Sequence, residues 1–244
     1  MAARLALAVL AAALVVVVVV VLHQAAAKAE AFDFDDTPLR AYVVSMPGTR
    51  SRRLIRARFA EQNQSISFFD GVDGTTLPDH PRLKPGEVGC ATSHMRLWEQ
   101  RPYGDDKDVL IFEDDAMLSA DFQTRLRRVR REIHGQDVDV VFLGHCFETE
   151  GGAWMGSTTL RESVRPLCTH GYLLTARGAQ KLAEWASRGQ LDDPIDHVLA
   201  GMCNNQTLAC LSCYPPLVAT TQETSIIHAL TRPPGGGGGG GGGG

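Results

Sequence analysis

Two periods of apolar residues alternate along this chain. Arg40-Ala-Tyr-Val-Val44 is a short run of β-branched and aromatic residues closed by Pro47-Gly48, which predicts a buried strand. Leu54, Ile55 and Phe59 then recur at helical spacing between Ser51 and Gln62, with Ser51 placed to cap the first turn. Ile66-Ser-Phe-Phe69 predicts a second strand that ends in Asp70-Gly-Val-Asp-Gly74. A stretch rich in proline and glycine passes through Pro78, Pro81 and Pro85, and Met95, Leu97 and Trp98 then indicate a helix. Asp108-Val-Leu-Ile-Phe112 predicts a strand that runs directly into Glu113-Asp-Asp115. Phe122, Leu126, Val129 and Ile133 form one helical stripe that Ser119 is placed to cap. Val138 to Leu143 and Tyr172-Leu-Leu174 read as strands, and Ala176 to Arg188 as a helix with Leu182, Trp185 and Ala186 inward. Strand and helix alternate, so the expected class is α/β, with a mostly parallel, Rossmann-like sheet flanked by helices and ligands beyond the carboxyl ends of its strands.

The two ends break this pattern. Leu5 to Leu22 contains only Leu, Ala and Val, and about 20 such residues cross a bilayer core. The expected reading is a transmembrane signal anchor over residues 1–24, with Arg4 on the cytosolic side and the rest lumenal, a single-pass type II topology in the endoplasmic reticulum or Golgi. A cleaved signal peptide competes, because Ala25, Ala26, Ala27 and Ala29 supply small residues for a peptidase. Residues 25–37 read as a stem, 38–230 as a single catalytic domain, and 231–244 as a disordered proline and glycine tail with no side chains to bury. Six cysteines permit disulfides in a lumenal chain, without revealing the pairing. Cys210-Leu-Ser-Cys213 lacks a second ligand pair for zinc, so a structural role is expected. Asn63-Gln-Ser65 and Asn205-Gln-Thr207 fit the N-glycosylation pattern. A net charge of -4 leaves no basic field for nucleic acid, which is excluded as a partner. The arginines on the outer faces of the 122–133 helix read as a solvated surface.

The acids after the third strand carry the chemistry. Glu113, Asp114 and Asp115 repel one another at the end of a core strand, and a divalent cation placed there relieves the repulsion. Hard cations such as magnesium or manganese take carboxylate oxygens and leave positions for phosphate oxygens, which suits a nucleotide diphosphate. The other reading is a solvated turn whose acids start the next helix favourably.

Context separates the two. Gly86-Glu-Val-Gly-Cys90, Ser93-His94, Leu97-Trp98 and Val109-Leu-Ile-Phe-Glu-Asp-Asp115, in that order, resemble the signature of the family 25 glycosyltransferases, which include bacterial lipooligosaccharide and procollagen galactosyltransferases. The resemblance extends to Tyr42-Val-Val44, Arg52 and Val72-Asp-Gly74 upstream. Downstream it takes in Gly171-Tyr-Leu-Leu174, Gly178-Ala179, Lys181-Leu182 and Pro194-Ile-Asp196. It implies a GT-A type fold, a UDP-hexose donor with galactose foremost, a divalent metal such as manganese, inversion at the anomeric carbon, and a glycan or protein acceptor. On this resemblance Asp115, with Asp114 or Glu113, binds the metal that bridges the donor diphosphate. Arg52 and Asp73 match positions near the nucleotide, Ser93 and His94 line the donor pocket, and Asp196 is the candidate general base. Each also has a bland reading: surface arginine, turn acid, packed histidine, helix cap. His228 is a candidate third ligand or a surface histidine. The chain departs from the family at Ser45 and Ser51, where asparagine and aspartate are usual.

Two other classes share some of these features. A metal-dependent phosphatase also places acids after a buried strand, but Glu113-Asp-Asp-Ala-Met-Leu118 lacks the expected nucleophile pattern. A non-catalytic lumenal module that binds a glycan or a nucleotide sugar would keep the fold without turnover.

Overall fold

The computed structural model describes residues 37–48, 51–148 and 152–221. The anchor expected over 1–24, the stem up to residue 36, His228 and the glycine tail lie outside them. Among the described residues no helix is long and apolar enough to cross a membrane.

Strand β1 (Arg40–Ser45) leads into helix α1 (Ser51–Ala60) and returns as β2 (Ser67–Asp70), parallel to β1. A one-turn 3-10 helix at Gly74–Thr76 precedes α2 (Pro85–Gln100), which feeds β3 (Val109–Glu113), parallel to β1 on its other side. Then follow β4 (Ala116–Leu118), α3 (Phe122–Ile133), β5 (Val140–Phe142), β6 (Leu160–Glu162) and β7 (Gly171–Leu174). Two helices, α4 (Ala176–Ala186) and α5 (Ile195–Asn204), and two strands, β8 (Cys210–Cys213) and β9 (Val218–Thr220), complete the order.

The main sheet runs β2-β1-β3-β7-β5-β8-β6. Five of its strands point one way, whereas β7 lies antiparallel between β3 and β5 and β6 antiparallel on the edge beside β8. The sheet is therefore mixed, with a mostly parallel direction, as expected of the α/β class. Period-two alternation along β3 divides the core: Leu110 and Phe112 face one layer with Phe59, Phe122 and Leu126, and Val109 and Ile111 face the other with Leu97, Trp98 and Leu182. Both faces are covered, which is why β3 reads as a continuous apolar run. A separate ribbon pairs β4 with β9 antiparallel and so brings Thr220 opposite Ala116, next to the acids.

Several local expectations need correction. Helix α2 begins at Pro85, ten residues before the apolar positions that signalled it. Proline suits the first helical position, and the Lys84 backbone N–H donates to the Glu87 carboxylate at 2.7 Å. Glycines 86 and 89 hide this start in the sequence, yet Gly89 is there for contact: a Cβ on it would lie 2.6 Å from the Val72 carbonyl oxygen. Ser119 does not cap α3; its side chain is buried and only its backbone carbonyl accepts from Phe122 N–H, at 3.0 Å. The Cys210 and Cys213 pair is divided, because Cys210 forms a disulfide with Cys203 and Cys213 remains a buried thiol. A second disulfide joins Cys146 to Cys168, and Cys90 is free.

Among the described glycines the tightest site is Gly74, where an added Cβ would sit 1.7 Å from the Pro85 carbonyl oxygen. Backbone cannot yield there, so Gly74→Ala pushes the start of α2 away from the 3-10 turn. The expected loss is about 1–3 kcal/mol of unfolding free energy, measured by urea denaturation of the soluble domain.

Candidate active site

The carboxyl end of β3 opens into a cavity of 390 Å³. Its walls come from the first turns of α2 (Gly86, Glu87, Cys90), the end of β3 (Glu113, Asp115), the approach to β7 (Cys168, Thr169, His170), the start of α5 (Pro194 to His197) and Thr220 of β9. Five separate pieces of chain thus converge on two of the predicted metal ligands and the predicted base.

Glu113 is the best-held group. Its Oε1 accepts from the Thr169 hydroxyl, faces His94 Nε2 at 3.4 Å and receives the Cys90 thiol at 3.9 Å. Burial by itself would raise the Glu113 pKa, but the His94 and Thr169 hydrogen bonds and the His94 and His170 rings outweigh it and hold the carboxyl below the usual value. Cys90, in turn, is pushed up by burial and by the negative charges of Glu113 and Asp196, so it stays a thiol.

Asp115 has the opposite environment. Burial and the adjacent charge of Glu113 raise its pKa, with Asp114 adding to the effect and His170 opposing it. Its Oδ1 is buried without a hydrogen-bond partner among the described residues. Arg58 of α1 lies close by, donating to the Asp114 carbonyl oxygen at 2.7 Å, and is itself held below the usual arginine value chiefly by burial. An orphaned carboxylate oxygen beside a second carboxylate, both on a cavity wall, is the donor chemistry of a hard divalent cation, and Glu113 and Asp115 fit one.

The remaining predicted residues divide by position. Asp114 does not line the cavity; it is exposed and accepts from the Ser45 hydroxyl at 3.1 Å, so the first departure from the family pattern touches the acidic motif directly. Asp196 lines the cavity in the first turn of α5, where its two oxygens accept from Cys168 N–H at 3.1 Å and His197 N–H at 2.9 Å. Arg52 bridges the Ser45 carbonyl and Asp70 and stacks over Phe68 at the ends of β1 and β2. Asp73 caps the 3-10 turn by accepting from Thr75. Ser93 is buried between the Val72 N–H and the Gly89 carbonyl. None of these three lines the cavity, and His94 reaches it only through Glu113.

Three wall residues carried no signal in the sequence reading. Thr169 and His170 sit in an irregular segment before β7, and Cys90 was only a motif letter. His170 is buried, and its Nε2 faces the Val218 carbonyl oxygen at 3.3 Å. A carbonyl can only accept, so Nε2 carries a proton, and Nδ1 has no hydrogen-bond partner among the described residues. Gly144 permits that contact, since a Cβ there would stand 2.2 Å from the ring nitrogen.

Residues 39–150 match the family described as Glycosyltransferase family 25 (LPS biosynthesis protein). The chain is 31% identical over 170 residues to a Glycosyltransferase 25 family member of Aedes aegypti, covering 60% of this chain and 28% of that protein. It is 27% identical over 183 residues to Procollagen galactosyltransferase 1 of Danio rerio, covering 65% of this chain and 30% of the relative. A Probable inactive glycosyltransferase 25 family member 3 of Bos taurus is 32% identical over 146 residues, covering 56% of this chain and 24% of the relative. The chain thus spans less than a third of each of these proteins.

The two carboxylates have opposite linkage to folding. Asp115, raised in the fold, binds its proton more tightly than in the unfolded chain, so it costs stability at neutral pH, and that cost disappears below the ordinary value of 3.8. Glu113, lowered in the fold, contributes stability above the ordinary value of 4.5 and loses it as pH falls through its folded value. In EDTA at pH 7, Asp115→Asn is expected to raise the melting temperature and Glu113→Gln to lower it. Both differences shrink in melts run below pH 4.

Proposed function

We propose, for a chain that carries a family 25 glycosyltransferase domain over residues 39–150, that it transfers a hexose, galactose foremost, from a UDP-sugar to a glycan or protein acceptor. The observation that carries this reading is the convergence of Glu113, Asp115 and Asp196 on one cavity at the carboxyl end of β3. Ligands of open α/β sheets sit at that end.

Glu113 and Asp115 are the residues to hold a divalent ion, manganese foremost. Such an ion supplies charge neutralisation for the diphosphate that departs. Asp115 lacks a protein partner for Oδ1, so its charge is available to a cation rather than spent inside the fold.

Asp196 suits the part of general base. Two backbone N–H groups fix its carboxylate in the first turn of α5. In the proposed step the acceptor hydroxyl gives its proton to Asp196 while its oxygen bonds to the anomeric carbon. The bond from that carbon to the diphosphate oxygen breaks, with its electrons leaving on UDP, and the anomeric configuration inverts. The support is the placement of acid motif and candidate base on the same walls.

Lumenal action behind a type II anchor, in the endoplasmic reticulum or Golgi, completes the proposal. The two disulfides agree with an oxidising compartment.

A panel of UDP-hexoses with the lumenal domain, read as UDP released with and without manganese, tests the reading. Release that requires manganese, is highest for one hexose and falls at least about 100-fold in Asp115→Ala supports it. Asp196→Asn is expected to lower kcat by about 100-fold or more with little change in donor KM. A folded, soluble domain that releases no UDP from any donor selects the non-catalytic binding module instead.

A further inference from the structure

Three buried side chains form a hydrogen-bonded line from the core, and its last member, His94, faces the cavity acid Glu113 across a contact outside hydrogen-bond geometry. Trp98 Nε1 lies 3.0 Å from the Tyr172 hydroxyl oxygen, that hydroxyl lies 2.9 Å from His94 Nδ1, and His94 Nε2 lies 3.4 Å from Glu113 Oε1. Trp98, Tyr172 and His94 are each fully buried. No solvent can therefore supply or remove a partner along the line.

Elementary donor counting sets the direction of every proton in it. An indole N–H only donates, so the Tyr172 oxygen accepts from Trp98. The hydroxyl has one proton, and the acceptor the fold offers it is His94 Nδ1. His94 Nδ1 is then a lone pair, and the ring proton resides on Nε2, aimed at Glu113. Sequence distance conceals this line: Trp98 and His94 sit one turn apart on α2, whereas Tyr172 arrives from β7, whose register puts it opposite Ile111 of β3. The antiparallel insertion of β7 beside β3 is what closes the circuit.

The same order of protons decides between two uses of the cavity wall. Cys90 Sγ, His94 Nε2 and Glu113 Oε1 lie within 4.8 Å of one another, as a thiophilic metal site would require. A protonated Nε2 is not a ligand, and the Cys90 thiol donates to Glu113 Oε1 at 3.9 Å, so the cluster instead directs its protons at that oxygen. Thr169 and Cys90 donate to that one oxygen, and His94 Nε2 faces it at 3.4 Å. Oε2 has no protein partner among the described residues and is the oxygen left to the cavity.

We propose that Tyr172 is a positioning residue: its hydroxyl, steadied by Trp98, fixes the His94 tautomer, which locks Glu113 by Oε1 and presents Oε2 to a divalent cation. The proposal rests on the reading of Glu113 as a metal-holding group. Tyr172 touches neither the cavity nor the reactants; it acts through two intervening side chains.

The test uses the full chain, with Tyr172→Phe as the probe variant. The control is Tyr103→Phe, because Tyr103 is another buried tyrosine of this core whose hydroxyl has no partner. In metal-free wild type, long-range 15N NMR is expected to show His94 as a single Nε2–H tautomer, and in Tyr172→Phe as a mixture. Manganese binding, measured by electron paramagnetic resonance at a temperature where all three proteins are folded, is expected to weaken about tenfold in Tyr172→Phe and to stay unchanged in Tyr103→Phe. A wild-type Nδ1–H tautomer, or unchanged manganese affinity in Tyr172→Phe, overturns the proposal. Equal weakening in both variants does so as well, because it reports general loosening of the core. A wild-type chain that binds no manganese overturns it together with the metal reading. Loss of affinity in Tyr172→Phe alone, in a chain that releases no UDP, upholds the positioning role and overturns only the transferase reading.

Discussion

A strand buried on both faces that ends in three consecutive carboxylates must dispose of their mutual repulsion, and the cleft is organised by how it does so. Each acid has a different solution. Asp114 turns outward to Ser45 and water, Glu113 is neutralised from within by hydroxyl, imidazole and thiol donors, and Asp115 is left with an unpartnered buried oxygen. Charge at Asp115 meets only partial compensation, from His170 and from Arg58, whose guanidinium is bonded to the neighbouring carbonyl. Coulomb energy in a partly desolvated site makes such an arrangement costly in isolation and favourable once a cation arrives.

Holding Glu113 takes contributions from distant parts of the chain. Helix α2 brings Cys90 and His94 on one face, four residues apart, and can lie close to the 3-10 turn only because Gly74 and Gly89 have no side chains. Strand β7 brings Tyr172 to the far side of His94, and the residues just before it bring Thr169 and His170. The Cys146–Cys168 disulfide fixes that approach at its start. Asp196 enters by another route, from the first turn of α5, and its hydrogen bond from Cys168 N–H ties the candidate base to the same segment. Disulfide, candidate base and candidate metal-holding acid are therefore mechanically one assembly.

Elements with a strong local period were legible in the sequence, and those without one were not. The apolar run into Glu113-Asp-Asp115, the stripe of Phe122, Leu126, Val129 and Ile133, and the helix around Leu182 are local patterns that the fold reproduces. Strands β4, β6, β8 and β9 are three or four residues long, too short for alternation to accumulate, and they exist because neighbouring strands offer them partners. The first turns of α2 were masked by glycines whose purpose is contact with Val72 and Gly74, which no local propensity encodes.

By itself the sequence determined the α/β class, the family resemblance over the motif from Gly86 to Asp115, and the identity of the acids at the end of the third strand, since each is written in neighbouring residues. Tertiary structure decided where each of those acids points. It set the antiparallel position of β7, separated Asp114 from Glu113 and Asp115, paired Cys210 with Cys203 instead of Cys213, and brought Thr169 and His170 to the cleft and Tyr172 to the buried side of His94. Those outcomes depend on which groups meet across scores of intervening residues. Proton direction and charge compensation are properties of the meeting, and no single stretch of chain contains them.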